Sequence, residues 1–248
     1  MTGFPVSGAC MIMAVLAALL WSHAESAGIQ KKKVKKEMQQ GFIPGREGNL
    51  APDQSELVKT FDTAGNLVEE KDRQFLPSLQ KVVEYDKMLF YGNQGKLDST
   101  VIYFDGQFSM KLETLFDSSG RETAVQEYNS ERNPSFRTVF IYNGRGQKMV
   151  EEMYTPEGKL YNFRDFKYDR KGNIIEESGK EGRTPRYRWA YTYDKNNRLV
   201  RRRDYSGKGM LMQKHIYRYN AEGQISEEKV LDAKGEVERV VQYTYEYH

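Results

Sequence analysis

The residues of this chain that are best suited to chemistry are few and widely separated. Its three histidines are His23, His215 and His248, and Cys10 is its single cysteine. No two of these side chains have the spacing at which histidine and cysteine share a tetrahedral metal ion. The sequence therefore predicts neither a metal centre nor a cofactor, and His215 is expected to be a structural residue in the middle of a strand.

Two aspartates, Asp169 and Asp194, offer the carboxylates that a glycoside hydrolase would need. Each of them occupies the same place in a repeated turn pattern, so a structural role in the turn is the better interpretation. Gly144 and Gly146 flank Arg145, but no strand–helix context of the kind that binds phosphate surrounds them. We therefore expect a protein without catalytic activity.

Aromatic residues in the second half of the chain suggest a binding face. Trp189, Tyr191 and Tyr193 alternate along one predicted strand, so their side chains lie on one side of it. Tyr217 and Tyr219 are expected two strands away on the same side. Such a ladder either stabilises the sheet alone or also offers a stacking platform to a sugar chain or a partner protein. These five residues are the candidate binding face.

The element that positions these side chains is a seven-residue pattern, clearest from Tyr168 to Ile174. Asp169 takes the first position of a type I turn, and Gly172 supplies the left-handed backbone that closes it. The result is a three-residue hairpin loop with Tyr168 opposite Ile174 on antiparallel strands. The residues predicted to build the equivalent turns are Asp169, Gly172, Asp194, Asn197, Gly223 and Gly235.

Recurrence of this pattern predicts an array of hairpins. From Tyr142 onward its steps alternate between 12 and 14 residues, which gives seven-residue strands such as Lys148–Tyr154 and nine-residue strands such as Leu160–Tyr168. We predict that residues 61–248 form an all-β domain, an extended, twisted antiparallel β-meander of tandem hairpin repeats with about 12 strands. Charged mid-strand positions argue against burial under a second sheet, so the meander is expected to stay open.

A membrane-spanning β-barrel is the competing fold, and it requires one uniformly apolar face across the height of the bilayer. The mid-strand run from Arg201 to Asp204 places charges on both faces of the sheet. This pattern favours a sheet that is surrounded by water.

The first residues have the composition of an export signal. Ala9–Trp21 is an apolar run of 13 residues, and small residues follow at Ser22 and Ala24. A run of this length is typical of a secretory signal peptide. We assign residues 1–24 to such a signal and predict export to the periplasm, the cell surface or the medium; a buried N-terminal helix is the alternative.

Residues 25–60 lack the repeat and are predicted to be a basic, flexible linker. The formal net charge of the chain is only +3, and it turns negative without the lysine run of this segment. A basic balance confined to one run does not predict a nucleic-acid partner. The run can attract an anionic surface electrostatically; its members are Lys31, Lys32, Lys33, Lys35 and Lys36.

The segments Tyr168–Ile174 and Tyr193–Leu199 resemble the tyrosine-aspartate (YD) repeats of the Rhs family, and the resemblance covers roughly residues 61–248. In that family, such repeats form spiralling antiparallel sheets that enclose toxin domains or extend along cell-surface proteins. The resemblance implies an exported, non-catalytic scaffold that contacts an unknown protein or polysaccharide at the cell envelope. The alternative that it implies is a component or remnant of an Rhs-type polymorphic toxin system.

Overall fold

The structure is a computed structural model that describes residues 33–45, 49–76, 81–92 and 95–248. The predicted signal peptide, residues 1–24, and the lysines at positions 31 and 32 lie outside the described residues, so export stays a prediction. No helix in the described part of the chain is long and apolar enough to span a bilayer.

The described residues form sixteen strands that follow one another along the chain. Each strand pairs antiparallel with the next, and β16 pairs with β1, so that the sheet closes into a barrel. The strands are β1 (Val34–Pro44), β2 (Leu50–Phe61), β3 (Leu67–Leu76), β4 (Lys81–Tyr91), β5 (Leu97–Phe104), β6 (Gln107–Phe116), β7 (Glu122–Tyr128), β8 (Pro134–Tyr142), β9 (Lys148–Tyr154), β10 (Leu160–Tyr168), β11 (Ile174–Glu181), β12 (Thr184–Tyr193), β13 (Leu199–Ser206), β14 (Leu211–Tyr219), β15 (Ile225–Asp232) and β16 (Val237–Tyr247).

The hairpin turns are held by a side chain at their first position. In the turn between β10 and β11, Asp169 Oδ1 accepts hydrogen bonds from the backbone N–H groups of Lys171 and Asn173, at 2.8 and 2.9 Å. The φ angle is +92° at Gly172 and +66° at Asn197, its counterpart between β12 and β13. Because these carboxylates bond to the turn backbone, their recurrence serves the fold. Asp194, Gly223 and Gly235 lie at the equivalent positions of their own turns.

A β-bulge follows the turn and changes which side chains point inward. Tyr168 pairs with Ile174, whereas Lys167 pairs with Glu176, so Ile175 is an extra residue in β11. Such a bulge shifts the alternation of the strand by one residue. Simple alternation along a strand predicts one set of side chains to point inward. In each seven- or eight-residue strand that begins with a bulge, the other set points inward instead.

The two faces of the barrel differ sharply in exposure. Along β10, the inward-facing side chains of Asn162, Arg164 and Phe166 are buried, with relative exposures of 5%, 7% and 1%. The side chain of Lys167, which points the other way, is 62% exposed. The inner face is therefore the core of the barrel, and the other face, called the outer wall below, meets solvent.

Tyrosines at the ends of strands extend the pairing between neighbours. Tyr193 ends β12, and its hydroxyl donates a hydrogen bond to the carbonyl oxygen of Ile174, the first residue of β11, at 2.9 Å. The last ladder pair between these strands joins Glu176 to Ala190, so the tyrosine reaches beyond the ladder. Tyr91, Tyr168, Tyr219 and Tyr245 make equivalent bonds of 2.7 to 2.8 Å.

The all-β, antiparallel, meander part of the prediction is confirmed, but the open sheet of about 12 strands is wrong. The structure has a closed barrel of sixteen strands. Closure is favourable because it removes both exposed sheet edges, and some of the mid-strand charges, such as those of Arg202 and Asp204, are paired on the inner face.

The linker prediction for residues 25–60 is also corrected. Within the described residues, this segment contributes β1 and nearly all of β2, and β1 pairs with β16 from Val34 to Phe42. Lys35 and Lys36 therefore belong to a strand, while Lys33 is exposed immediately before it. The high lysine content of this segment suggested a linker, although the segment forms β1, which pairs with β16 at the other end of the domain.

Replacement of Gly172 by valine is expected to lower the free energy of unfolding by about 1–3 kcal/mol. The reason is backbone strain at positive φ, because the nearest atom to an added Cβ is Gln147 Nε2 at 3.4 Å, which leaves enough room. Asn197→Gly at the matching site should be neutral or slightly stabilising. Urea unfolding curves of the two variants provide the measurement; an unchanged midpoint for Gly172→Val would show that strain at this turn is unimportant.

Candidate functional site

The five aromatic residues of the candidate binding face do share one face, but it is the inner face of the barrel. Tyr217 is only 7% exposed, and the hydroxyl of Tyr191 donates to Glu177 Oε2 at 3.2 Å. Tyr193 and Tyr219 hold strand ends together, as described above. The ring of Trp189 lies 4.7 Å from that of Tyr187, centroid to centroid. Their part in binding a ligand stays a prediction, and the expectation of an exposed platform is corrected.

A buried ion-pair network lies on the inner face of β9–β12 and is called the Arg164 cluster. It consists of Lys148, Glu151, Arg164 and Glu177, with Tyr187 at its edge. The Arg164 guanidinium is paired with Glu151 and lies 3.8 Å from Glu177 Oε1, and Lys148 Nζ lies 3.3 Å from Glu151 Oε1. The hydroxyl of Tyr187 donates to Glu177 Oε1 at 2.7 Å. Two cations thus face two carboxylates away from water.

A second network, the His215 cluster, lies on the inner face of β13–β15. Arg202 Nε lies 2.8 Å from Asp204 Oδ1. His215 lies between two carboxylates, with Nδ1 2.6 Å from Glu228 Oε1 and Nε2 3.2 Å from Asp204 Oδ2. The hydroxyl of Tyr243 donates to Glu228 Oε2 at 3.1 Å. Arg202, Asp204 and Glu228 could not be recognised as site residues from the sequence, because only the bulges reveal which residues of these strands point inward.

The two carboxylates favour the protonated form of the histidine. Burial lowers the pKa of His215, but the hydrogen bonds with Asp204 and Glu228 outweigh it, so the pKa is raised above its ordinary value; the nearby Arg202 opposes them. For Asp204 and Glu228, burial acts in the opposite direction and raises the pKa. Contacts with His215 and Arg202 more than offset burial, so both carboxyl pKa values are lowered. The cluster therefore favours the charged forms of His215, Asp204 and Glu228 in the folded chain.

These shifts predict how stability depends on pH. Because the folded-state pKa of His215 is raised, its contribution to stability is complete below its unfolded pKa of about 6.5. That contribution is lost as pH rises through the folded-state pKa. The pKa values of Asp204 and Glu228 are lowered in the folded state, so their contribution to stability is complete above their unfolded pKa values. It is lost as pH falls through their folded pKa values. Stability from this cluster is thus expected to be greatest between about pH 5 and 6.5.

His215→Gln is expected to remove the alkaline side of this dependence, because glutamine is polar but does not titrate. Unfolding midpoints of the wild-type and variant chains, measured from about pH 5.5 to about pH 8.5, should converge as pH rises. His248→Gln is the matched control, since His248 is exposed at the end of the chain. A difference between wild type and His215→Gln that stays constant over this range would contradict the assignment.

The acids and bases of the two clusters satisfy one another. Among the described residues, the buried side-chain oxygens without a hydrogen bond are Asp86 Oδ1 and Glu227 Oε1, and neither belongs to a cluster; Glu227 Oε1 forms an ion pair with Arg218 at 3.1 Å. In the same part of the chain, no group of three histidine, cysteine, aspartate or glutamate side chains is placed to hold a metal ion. The geometry of the two clusters therefore suits internal ion pairing, which fixes strand register.

An open depression of about 360 Å³ lies beside two neighbouring turns, between β8 and β9 and between β10 and β11. Asn143, Arg145 and Asp169 are among its lining residues. Asn143 Oδ1 accepts a hydrogen bond from the Arg145 backbone N–H at 2.9 Å, so this side chain holds the turn. The carboxylate of Asp169 would repel an anion, so the depression is unsuited to phosphate.

The outer wall carries ion pairs close to the β10–β11 and β14–β15 turns. Glu176 lies 2.7 Å from Lys167 and 3.3 Å from Arg188, and Arg218 lies 3.1 Å from Glu227. The side chain of Arg218 is 64% exposed. These exposed ions therefore mark a solvent-facing rim of the wall.

Comparison with known proteins gives the fold. Neither a known protein family nor a curated protein sequence matches this chain. Among solved structures, a porin-like protein from Bacteroides uniformis superposes with a TM-score of 0.61 at 13% identity, covering 87% of this chain and 99% of that one. At this identity the match shows similarity of fold alone.

Two further structures superpose less well. A TcdB2–TccC3 structure gives a TM-score of 0.37 at 16% identity, covering 83% of this chain and 11% of that one. A DUF1329 family protein from Desulfovibrio piger gives 0.33 at 11% identity, covering 96% and 92%. Scores this low carry no argument about this chain.

The Rhs resemblance proposed from the sequence is wrong. The chain shares its fold with the porin-like protein over almost the whole of that protein, and no family matches the sequence. The repeats of the Rhs family spiral onward, whereas this sheet returns to its first strand and closes. The shared pattern reflects hairpin turn chemistry, which any tandem array of hairpins requires.

Proposed function

We propose that this chain is an exported, non-catalytic β-barrel of the cell envelope that acts by binding through its outer wall. The observation that carries the proposal is the division of charge between the two faces. Inside, the ionisable groups of the Arg164 and His215 clusters neutralise one another. Outside, charged side chains reach solvent, and some have no counter-ion. Recognition therefore belongs on the outer wall.

A membrane pore is the second candidate, because a closed barrel with the fold of a porin-like protein has the architecture of one. Two features oppose it. The outer wall has charged side chains in the middle of its strands, such as Arg203 on β13 and Lys214 on β14, where a bilayer would require apolar side chains. The inner face is occupied by buried side chains such as Arg164 and Phe166, which are 7% and 1% exposed. Binding in water is the better explanation of both features.

Fractionation of the native host tests the proposal against a pore. An exported water-facing barrel should be recovered in the envelope or the medium, released from membranes by high salt, and shortened by cleavage after Ala24 when its mass is measured. A pore would stay with the membrane until detergent is added. A chain that begins at Met1 in the cytoplasm would overturn the export part of the proposal.

A further inference from the structure

We propose that the outer wall of β13–β15 binds a linear anionic polymer of the acidic polysaccharide class. The surface, called the cationic patch, consists of Arg201 and Arg203 on β13, Lys214 on β14 and Lys229 on β15. This inference rests on the proposed function, since it names the partner class and the place on the outer wall.

The pairing of the strands brings these four cations together. Arg203 is directly opposite Lys214 in the β13–β14 pair. Ile216 is opposite Arg201 on one side and Lys229 on the other. They point outward because they alternate with the inward-facing residues of the His215 cluster. The patch is thus two adjoining rows of side chains across three strands, with an aliphatic residue in the middle of one row.

The cations of the patch have no counter-ions. Among the residues that the structure describes, no carboxylate lies within 4.0 Å of any of the four; Lys214 Nζ instead lies 3.4 Å from the carbonyl oxygen of Ala233. Nearby cations of the same outer wall are neutralised, as Arg188 is by Glu176 and Arg218 by Glu227. The patch is therefore a group of four cations without counter-ions beside neutralised cations of the same wall.

The opposed pair Arg203 and Lys214 is unfavourable for the barrel itself. Like charges directly opposite each other on antiparallel strands destabilise a sheet. An external anion that neutralises the pair relieves this repulsion and gains charge-assisted hydrogen bonds from the guanidinium and the ammonium. The arrangement therefore favours a bound anion more than it favours the empty surface.

The spacing of the patch suits a polymer. Side chains two positions apart on a strand are separated by about 6.5 Å, and neighbouring strands by about 4.8 Å, so charges repeated along a chain can meet successive cations. A flat lipid surface would touch a convex barrel wall over a narrower zone. Beside Arg203 the face continues into the ring of Tyr205, whose centroid lies 3.9 Å from Arg188 Cζ. Aromatic and aliphatic surface next to cations suits the apolar face of a sugar ring.

Binding of polygalacturonate to the full chain tests the inference. The affinity should fall as salt is added, because exposed charges are screened, and neutral dextran should not bind. The double variant Arg203→Glu/Lys214→Glu keeps like charges opposite each other but reverses their sign, so its stability should be unchanged. Its affinity for polygalacturonate should fall about tenfold or more.

The matched control makes the same change in net charge elsewhere on the barrel. Lys159 and Lys171 lie exposed in turns outside the patch, and Lys159→Glu/Lys171→Glu should bind within about twofold of wild type. Equal losses in both double variants would overturn the patch, as would binding to phosphatidylglycerol vesicles or to DNA in preference to the polymer. Such results would leave export and envelope location, which fractionation tests separately, unaffected.

Discussion

Replacement of Arg164 by leucine is expected to lower the free energy of unfolding by about 3–5 kcal/mol. The side chain of Arg164 is 8% exposed, and those of its partners Glu151 and Glu177 are 5% and 4% exposed. Removal of the guanidinium leaves these carboxylates buried without their shared counter-ion. Burial already raises the pKa of Glu177, so the variant should unfold more readily as pH rises and this group is forced to ionise.

Urea unfolding of Arg164→Leu beside Arg218→Leu separates burial from ion pairing. Arg218 also pairs with a glutamate, but its side chain is 64% exposed, so its replacement should change stability by no more than about 1 kcal/mol. Similar effects of the two replacements would show that the Arg164 cluster is solvated and that the inner face is not a dry core. A third variant, with Glu151, Arg164 and Glu177 all replaced by hydrophobic residues, should recover much of the lost stability.

The strands and turns of the second half could be predicted because their signals are local. β9 and β10 have the bounds expected from the pattern, Lys148–Tyr154 and Leu160–Tyr168. Each is delimited by a turn in which few residue types tolerate the backbone, as at Gly172, with its φ of +92°. A constraint of this kind appears directly in the sequence, because substitution there is strained whatever the rest of the fold does.

The inward and outward sets of side chains could not be predicted in the shorter strands. Simple alternation places Arg201 and Arg203 on the same face as Leu199. The bulge that begins β13 instead turns Arg202 and Asp204 inward, beside His215. Because the run contains three consecutive arginines, the sequence gives no hydrophobic marker that would reveal this shift. The predicted candidate site therefore contained aromatic residues of the inner face but not the ions that they contact.

Closure of the barrel could not be predicted because it depends on one long-range pairing. β1 and β16 lie at opposite ends of the described chain, and nothing in the lysine-rich sequence of β1 marks its partner. Some of the mid-strand charges that argued for an open sheet, such as those of Arg202 and Asp204, are instead paired on the inner face, whereas those of Arg201 and Arg203 point outward. An ion seen alone in a sequence predicts exposure, whereas an ion with a partner on the next strand can be buried.

A disulfide across the seam between β1 and β16 is expected to form readily and to stabilise the chain. Met38 and Thr244 are directly opposite each other on the outer wall, so Met38→Cys/Thr244→Cys in a Cys10→Ser background should cross-link within one molecule on oxidation. The cross-link closes a loop of roughly 200 residues, for which chain entropy predicts a gain of up to about 5 kcal/mol. Mass spectrometry and urea unfolding of the oxidised and reduced forms provide the measurements.

The same experiment decides between a barrel and an open sheet. Sixteen strands laid side by side without closure would place β1 and β16 roughly 70 Å apart, far beyond the reach of a disulfide. The control Met38→Cys/Lys214→Cys places one cysteine on β14, two strands from β16, and should stay reduced within the molecule. Cross-linking in the control as well would show that the reaction is not specific to the seam. Cross-links only between molecules in the seam variant would refute closure. The division into a neutralised interior and a binding outer wall would then be wrong too, because an open sheet has two solvent-facing sides.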